Sequence, residues 1–298
     1  MSIKHFACAI VLALLAFQPL ATHASTPTFD AIYVFGDSYC DVGNIFFLSG
    51  QTEPLSPPYY NGRFSNGPIW VEHIASAMGL PMKASQLPPF DGTDYAFGGA
   101  EVTAPVPVPG SPLVIPSVPQ QVALYLQAHG GKADPKALYI IEGGGNDIIN
   151  ATGGSPDTLG FQIALGLSAS ELLLRRAGAK NFLIPNLIDV SLLPIAQPNA
   201  AFARQASLAT NKYLTNLLWA EQLIQGVTIR QINVFSLFQA VVADATHFGF
   251  TDIVNPCINP ITKTVCADPD HTLFWDLEHP TVFGHSFFAV LTEANLSQ

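Results

Sequence analysis

Five short, largely apolar runs punctuate the chain: Ala31–Phe35, Thr93–Phe97, Ala137–Ile141, Asn181–Ile184 and Thr228–Val234. Most are dense in β-branched or aromatic residues, and the segments between them are long enough to hold helices. That alternation constrains the fold more than any other feature. Strands that alternate with helices form parallel sheets, because each helical crossover returns the chain to the same end of the sheet. Helices are expected from about Pro68 to Met78, from Pro119 to Ala128, and over one stretch ending at Arg176. Further ones are expected from Ala200 to Ile224, from Leu237 to Thr246 and from Thr281 toward Ala294. The expected fold class is α/β: a single-domain three-layer α/β/α sandwich with a mostly parallel sheet. No repeat or linker divides the 298 residues, and a chain 49% hydrophobic and 11% charged supports a large buried core. Residues 102–119, crowded with proline and valine, read as an irregular extended loop beside a substrate cleft.

In open α/β sheets the crevice lies outside the carboxyl ends of the strands. Polar residues cluster at those ends here. Gly36-Asp37-Ser38 follows the first run, Gly98-Gly99-Ala100 the second, and Glu142-Gly143-Gly144-Gly145-Asn146-Asp147 the third. Asp276-Leu277-Glu278-His279-Pro280 precedes the last helix. A serine is a weak nucleophile until a base takes its proton. His279 is the candidate base, because imidazole titrates near neutral pH. Asp276, three positions earlier, can reach the other ring nitrogen and fix its tautomer. Glu278 is adjacent to His279 and points elsewhere in a turn. An oxyanion needs donors. The backbone N–H groups of Ser38 and Gly99 and the side-chain amide of Asn146 are the candidates.

Four motifs in this order resemble the SGNH, or GDSL, hydrolases. They are Phe35-Gly36-Asp37-Ser38-Tyr39-Cys40-Asp41-Val42-Gly43-Asn44, Tyr95-Ala96-Phe97-Gly98-Gly99-Ala100, Gly144-Gly145-Asn146-Asp147, and Asp276-Leu277-Glu278-His279-Pro280. Arg63-Phe64-Ser65-Asn66-Gly67 and Phe274-Trp275-Asp276 are similar to the secreted bacterial and plant branch. The resemblance implies a flavodoxin-like sheet and ester hydrolysis through an acyl-enzyme, with no cofactor and no metal. It makes Ser38 the nucleophile, Asp276 and His279 the rest of the triad, and Ser38, Gly99 and Asn146 the oxyanion hole. The choice of Gly99 over Gly98 rests on motif alignment. Tyr39 stands where leucine is usual and Cys40 where a small hydroxyl residue is common, which alters the nearby pocket and removes no catalytic group.

A basic start, the apolar run Phe6–Phe17 and the small residue Ala24 before Ser25 read as a signal peptide over residues 1–24, with residues 25–298 forming the hydrolase domain. The run is too short to span a bilayer. A secreted or periplasmic protein with no integral membrane segment after cleavage is expected. In an oxidising compartment Cys257 and Cys266, which enclose a turn-rich loop, are expected to form a disulfide. Cys40 reads as a buried packing residue rather than a rival nucleophile. A net charge of -10 leaves no basic footprint for nucleic acid. The glycines at 143–145 lack the spacing of a phosphate loop. The spacing of His271, Asp276, His279 and His285 matches no common metal motif. His285 reads as a capping or packing residue, Trp275 as a core anchor, and Asp37 and Asp147 as loop-holding groups; Tyr59 and Tyr60 either line a cleft or cover the core.

A small-molecule or lipid ester is the expected substrate. A carbohydrate O-acetylesterase, or a non-catalytic secreted binding module on the same fold, is the alternative. The sequence carries no signature of a particular oligomeric state.

Overall fold

A computed structural model describes residues 28–297; the expected signal peptide, residues 1–24, lies outside the described residues. The chain opens with β1 (Ile32–Phe35), then the short helix α1 (Asn44–Leu48) and α2 (Trp70–Ala77). A small ribbon, β2 (Val106–Pro107) and β3 (Val114–Ile115), precedes α3 (Val118–Ala128). Next come β4 (Leu138–Ile141), α4 (Gly145–Ile149), α5 (Pro156–Arg176) and β5 (Asn181–Leu183). The chain closes with α6 (Ala200–Gln222), β6 (Thr228–Arg230), α7 (Val234–Ala243) and α8 (Val282–Leu296).

The main sheet is parallel, in the order β1-β4-β5-β6. Ile32 lies opposite Leu138, Leu138 opposite Asn181, and Asn181 opposite Thr228. Every residue of β4 is buried, as a strand covered on both faces must be. The helices divide accordingly: α3, α5 and α6 pack into one group, and α2, α7 and α8 into another. The result is the expected three-layer α/β/α sandwich.

Several local readings need correction: the strand expected over Thr228–Val234 ends at Arg230, and Val234 opens α7. The run Thr93–Phe97 is extended but forms isolated parallel bridges, from Asp94 to Val34 and to Ala84, rather than a full strand. It still hydrogen-bonds along the edge of β1, from Val34 N to Thr93 O and from Tyr95 N to Val34 O, so Gly98 and Gly99 do arrive at the sheet rim. Residues 102–119 are not wholly irregular, since β2 and β3 pair antiparallel. Ile115 of this ribbon packs with Ile45, Phe97 and Ala100, so the ribbon supports the glycine turn. The helix expected to run to Arg176 is two helices, α4 and α5. Gly153 and Gly154 take positive φ between them, and the Ser155 hydroxyl caps α5 by accepting from Thr158 N.

Candidate active site

β1 ends at Phe35 and the chain leaves the sheet through a tight turn. The N–H groups of Cys40 and Asp41 both donate to Asp37 O at 3.0 Å. Gln121 on α3 fixes the turn from behind. Its side-chain oxygen accepts from Gly36 N at 2.8 Å and its side-chain nitrogen donates to Gly36 O at 2.9 Å. A Cβ at position 36 would stand 2.9 Å from Glu142 Oε2 and 3.3 Å from Glu142 O, so glycine leaves the Glu142 side chain where it is. This scaffold presents Ser38 at the carboxyl end of β1.

The opposing group comes from the turn before α8. Phe274 bridges Pro280, and Trp275 N donates to His279 O at 2.7 Å, so the turn between them carries Asp276 and His279 at its tip. Thr281 caps α8 by accepting from Gly284 N and anchors the turn from below. His279 Nε2 lies 2.7 Å from Ser38 Oγ. His279 Nδ1 lies 2.9 and 2.8 Å from the two carboxylate oxygens of Asp276. A hydroxyl, an imidazole and a carboxylate thus form one hydrogen-bonded series. Ser38 and His279 are both buried.

The electrostatics suit a base. Burial opposes the charged imidazolium, but Asp276, with lesser help from Glu278 and Asp37, holds the His279 pKa above its ordinary value. Burial alone would raise Asp276; the attraction and hydrogen bond of His279, the Glu278 amide and the Tyr59 hydroxyl outweigh it and hold the carboxyl below its usual range. Asp276 is therefore the ionised partner, and His279 is the group poised to take a proton.

Three donors converge opposite this series. Among the described residues, neither Ser38 N nor Gly99 N donates to a protein acceptor. Gly98 N, by contrast, is committed to Asp41 Oδ2 at 2.8 Å. The geometry thus separates two adjacent glycines that motif alignment alone distinguished. Gly99 also takes a φ of +78°, which a side chain would strain. Asn146 lies in α4 and donates one amide hydrogen to Ala100 O at 3.0 Å, leaving the other free. Ser38, Gly99, Asn146, Asp276 and His279 line one depression.

Several residues to which the sequence gives no catalytic role matter here. The Tyr59 hydroxyl donates to Asp276 Oδ2 at 2.7 Å, and Tyr39 Oη donates to Glu278 O at 2.7 Å. Glu142 shares the space beneath Ser38 with Asp37. Burial pushes the Asp37 carboxyl up to about 6, and burial together with Asp37 holds Glu142 well above the usual carboxylate range. No periodicity announces such pairings, since the partners are far apart in the chain. Cys40 is buried with its sulfur 3.6 Å from Glu142 Oε2, and burial pushes its thiol well up, away from a reactive thiolate. His285 is buried against Tyr39 and Phe288, with burial and His279 pushing it down to about 3. Trp275 is buried in a cluster with Cys257 and Ile258. Cys257 and Cys266 are joined as a disulfide. Among the described residues no cluster of three or more His, Cys, Asp or Glu has metal-holding geometry, and no helix is long and apolar enough to cross a membrane.

A second depression shares Ser38, Asn146 and Glu278 with the first. Its walls include Trp70, Ile149, Leu187, Leu193, Val234 and Phe288, and its exposed lining is almost wholly apolar. The 102–119 segment is not among its walls; it lies beside the first depression instead, with Ile115 against Gly99.

A parallel sheet whose rim brings a hydroxyl, an imidazole and a carboxylate into series is the arrangement of an ester-cleaving hydrolase. The chain belongs to the GDSL-like lipase/acylhydrolase family, whose model matches residues 32–291. It is 31% identical to a phosphatidylcholine-sterol acyltransferase of Aeromonas hydrophila, over 95% of this chain and 94% of that protein. It is 26% identical to a thermolabile hemolysin of Vibrio parahaemolyticus, over 87% of this chain but only 62% of that protein. Among solved structures it is similar to a member of the lipolytic G-D-S-L family from Veillonella parvula. That match is 15% identical, spans 88% of this chain and 95% of the other, and has a TM-score of 0.48.

Proposed function

We propose that the chain is an exported serine ester hydrolase that cleaves lipid or other acyl esters through an acyl-enzyme on Ser38. The observation that carries the reading is the series Ser38 Oγ–His279 Nε2 and His279 Nδ1–Asp276, with contacts of 2.7 to 2.9 Å. His279 takes the Ser38 proton as Oγ attacks the ester carbonyl. The N–H groups of Ser38 and Gly99 and the free amide hydrogen of Asn146 receive the oxyanion. His279 then protonates the leaving alcohol, and water repeats the sequence to release the acid.

The two depressions support one orientation of the substrate. The leaving group must sit within reach of His279, because His279 supplies its proton. The depression that His279 lines therefore takes the alcohol, and the apolar one takes the acyl chain. An apolar acyl pocket favours a chain longer than acetyl, which supports lipid esters over acetylated polysaccharides. The same alcohol-side depression would admit an acceptor alcohol in place of water, as the name of the Aeromonas relative suggests for that protein. The apolar run at the N-terminus and the Cys257–Cys266 disulfide support a secreted or periplasmic location.

The test is a panel of p-nitrophenyl esters from acetyl to palmitoyl, run with the wild type and with Ser38→Ala. The expected result is turnover that peaks above acetyl and falls by at least about 10³-fold in the variant, which stays folded. Near-wild-type turnover by Ser38→Ala overturns the assignment.

A further inference from the structure

We propose that Tyr59 is a positioning residue of the triad: its hydroxyl, delivered from a distant loop, fixes the Asp276 carboxylate and through it the His279 ring. The proposal rests on the reading that Ser38, His279 and Asp276 perform the reaction.

The two oxygens of Asp276 are held unequally. Oδ1 accepts from the N–H groups of Glu278 and His279, both at 2.8 Å, within its own turn. Oδ2 has no such local support. Among the described residues, apart from the imidazole, it is held only by the Tyr59 hydroxyl, which donates at 2.7 Å from 217 positions away. Without that hydroxyl, Oδ1 keeps its two amide donors while Oδ2 keeps the imidazole alone among the described residues, so the charge on Oδ2 falls wholly on His279.

Tyr59 is built to hold its place. Its ring meets Phe64 edge-on at 6.4 Å and Trp275 at right angles at 6.3 Å. It packs beside the Cys257–Cys266 disulfide in the apolar cluster that also contains Ile258. Its N–H donates to Leu55 O at 3.2 Å. The ring is thus clamped, and the hydroxyl faces the carboxylate. Burial and the adjacent Asp276 push the phenol well above its ordinary pKa, so it stays a donor at every pH at which the enzyme works.

The sign of the effect follows. A hydrogen bond to Oδ2 spreads the carboxylate charge and weakens its pull on the His279 proton. Its removal raises the His279 pKa. The other groups bearing on His279 are Glu278 and Asp37, which raise it, and the neighbouring His285, which burial keeps neutral. The ring also lies against Tyr39 and Phe64, and Tyr39 stays protonated because burial raises its phenol.

Tyr59→Phe removes one oxygen and keeps the clamped ring. The expected result is a fall in kcat of about 12- to 20-fold, at the low end of the range for losing a hydrogen bond to a charged group. KM for a small ester should stay within about twofold, and the acid limb of kcat/KM should move to higher pH. The low-field proton resonance of His279 Nδ1–H should shift with it. A merely structural role for Tyr59 would lower the melting temperature without moving the limb or the resonance. Site-specific 3-fluorotyrosine at position 59, a stronger donor, should move the limb to lower pH, and it serves if the phenylalanine variant does not fold. An unmoved limb with kcat within twofold of wild type overturns the proposal while Ser38→Ala stays inactive. An active Ser38→Ala overturns the underlying reading instead.

Discussion

The most informative single substitution is Asn146→Ala. Of the three candidate donors, two are backbone amides that no substitution removes cleanly. Asn146 is the one side chain. Its amide is oriented by the bond to Ala100 O at 3.0 Å, so the free hydrogen is aimed before substrate arrives. Loss of one preorganised oxyanion donor typically costs about 10²–10³ in kcat, or about 2.7–4 kcal/mol. Asn146 is only half-buried, so water can enter its place, and Ser38 N and Gly99 N remain. The lower end, about 10²-fold, is expected. The loss should fall on kcat, with KM for p-nitrophenyl butyrate nearly unchanged, because the interaction exists only once charge develops on the carbonyl oxygen. Asn146→Asp is nearly isosteric but sets a carboxylate against the oxyanion, and should cost more than alanine. Steady-state kinetics on both variants, with melting temperatures beside them, makes the comparison. A loss below about fivefold in Asn146→Ala, or one confined to KM, would refute the reasoning, and so would an aspartate variant more active than the alanine variant.

Two further outcomes are expected. Asp276→Asn should lower kcat by about 10³–10⁴-fold, less than His279→Ala, because it disturbs the tautomer and charge of the imidazole without removing the base; equal losses in a kinetic comparison would contradict that. The carboxyl pair beneath Ser38 should make stability fall with rising pH. Asp37 is pushed up to about 6 and Glu142 well above its usual range, so the folded state binds protons that the unfolded state has already released. Their favourable contribution is complete below about pH 4, where the unfolded carboxyls are also protonated, and is lost as pH rises through 6 and beyond. Asp276, held low, acts in the opposite sense and loses its contribution only in acid. Glu142→Gln should therefore flatten the decline of melting temperature between pH 5 and 8, as read by calorimetry; parallel curves for variant and wild type would sink the idea.

The layers of the fold were legible because their signals are local. Leu138–Ile141 is an uninterrupted apolar strand, and such a strand needs cover on both faces. The ends of elements were less legible. Val234 opens α7 rather than closing a strand, because the Asn233 side chain caps the helix by accepting from Ser236 N at 3.0 Å. A hydrophobic run alone does not distinguish the last residue of a strand from the first turn of a buried helix. Within the site, Ser38, His279 and Asp276 were visible because nucleophilic chemistry demands those residue types. Tyr59 was not, because a tyrosine in a proline-rich loop looks the same whether its hydroxyl meets solvent or a carboxylate 217 positions away. Gln121 was hidden similarly: it sits on a helix face that reads as apolar, and its role is to bond both backbone groups of Gly36.

The acids that do not react explain why the motifs travel together. Asp41 accepts from its own turn, Gly43 N and Asn44 N, and also from Gly98 N in the second motif. Asp94, just before that motif, accepts from Val42 N in the first, and Asn44 donates back to Asp94 O and Ala96 O. Asp147, next to Asn146 in the third motif, accepts from Val102 N and Thr103 N just beyond the glycine turn. Asp41 and Asp94 are fully buried and Asp147 nearly so, where an unpaired carboxyl would be costly. Each acid is tolerated because it gathers backbone N–H groups from a separate segment. The three segments that carry Ser38, Gly99 and Asn146 are thus locked to one another by bonds from backbone amides to buried carboxyl groups rather than by apolar packing alone. Apolar contacts accept small slips, whereas a buried amide must meet its acceptor within a few tenths of an ångström. That requirement fixes the spacing of the candidate oxyanion donors, and it ties the aspartates of the motifs to the proposed reaction without placing them in it.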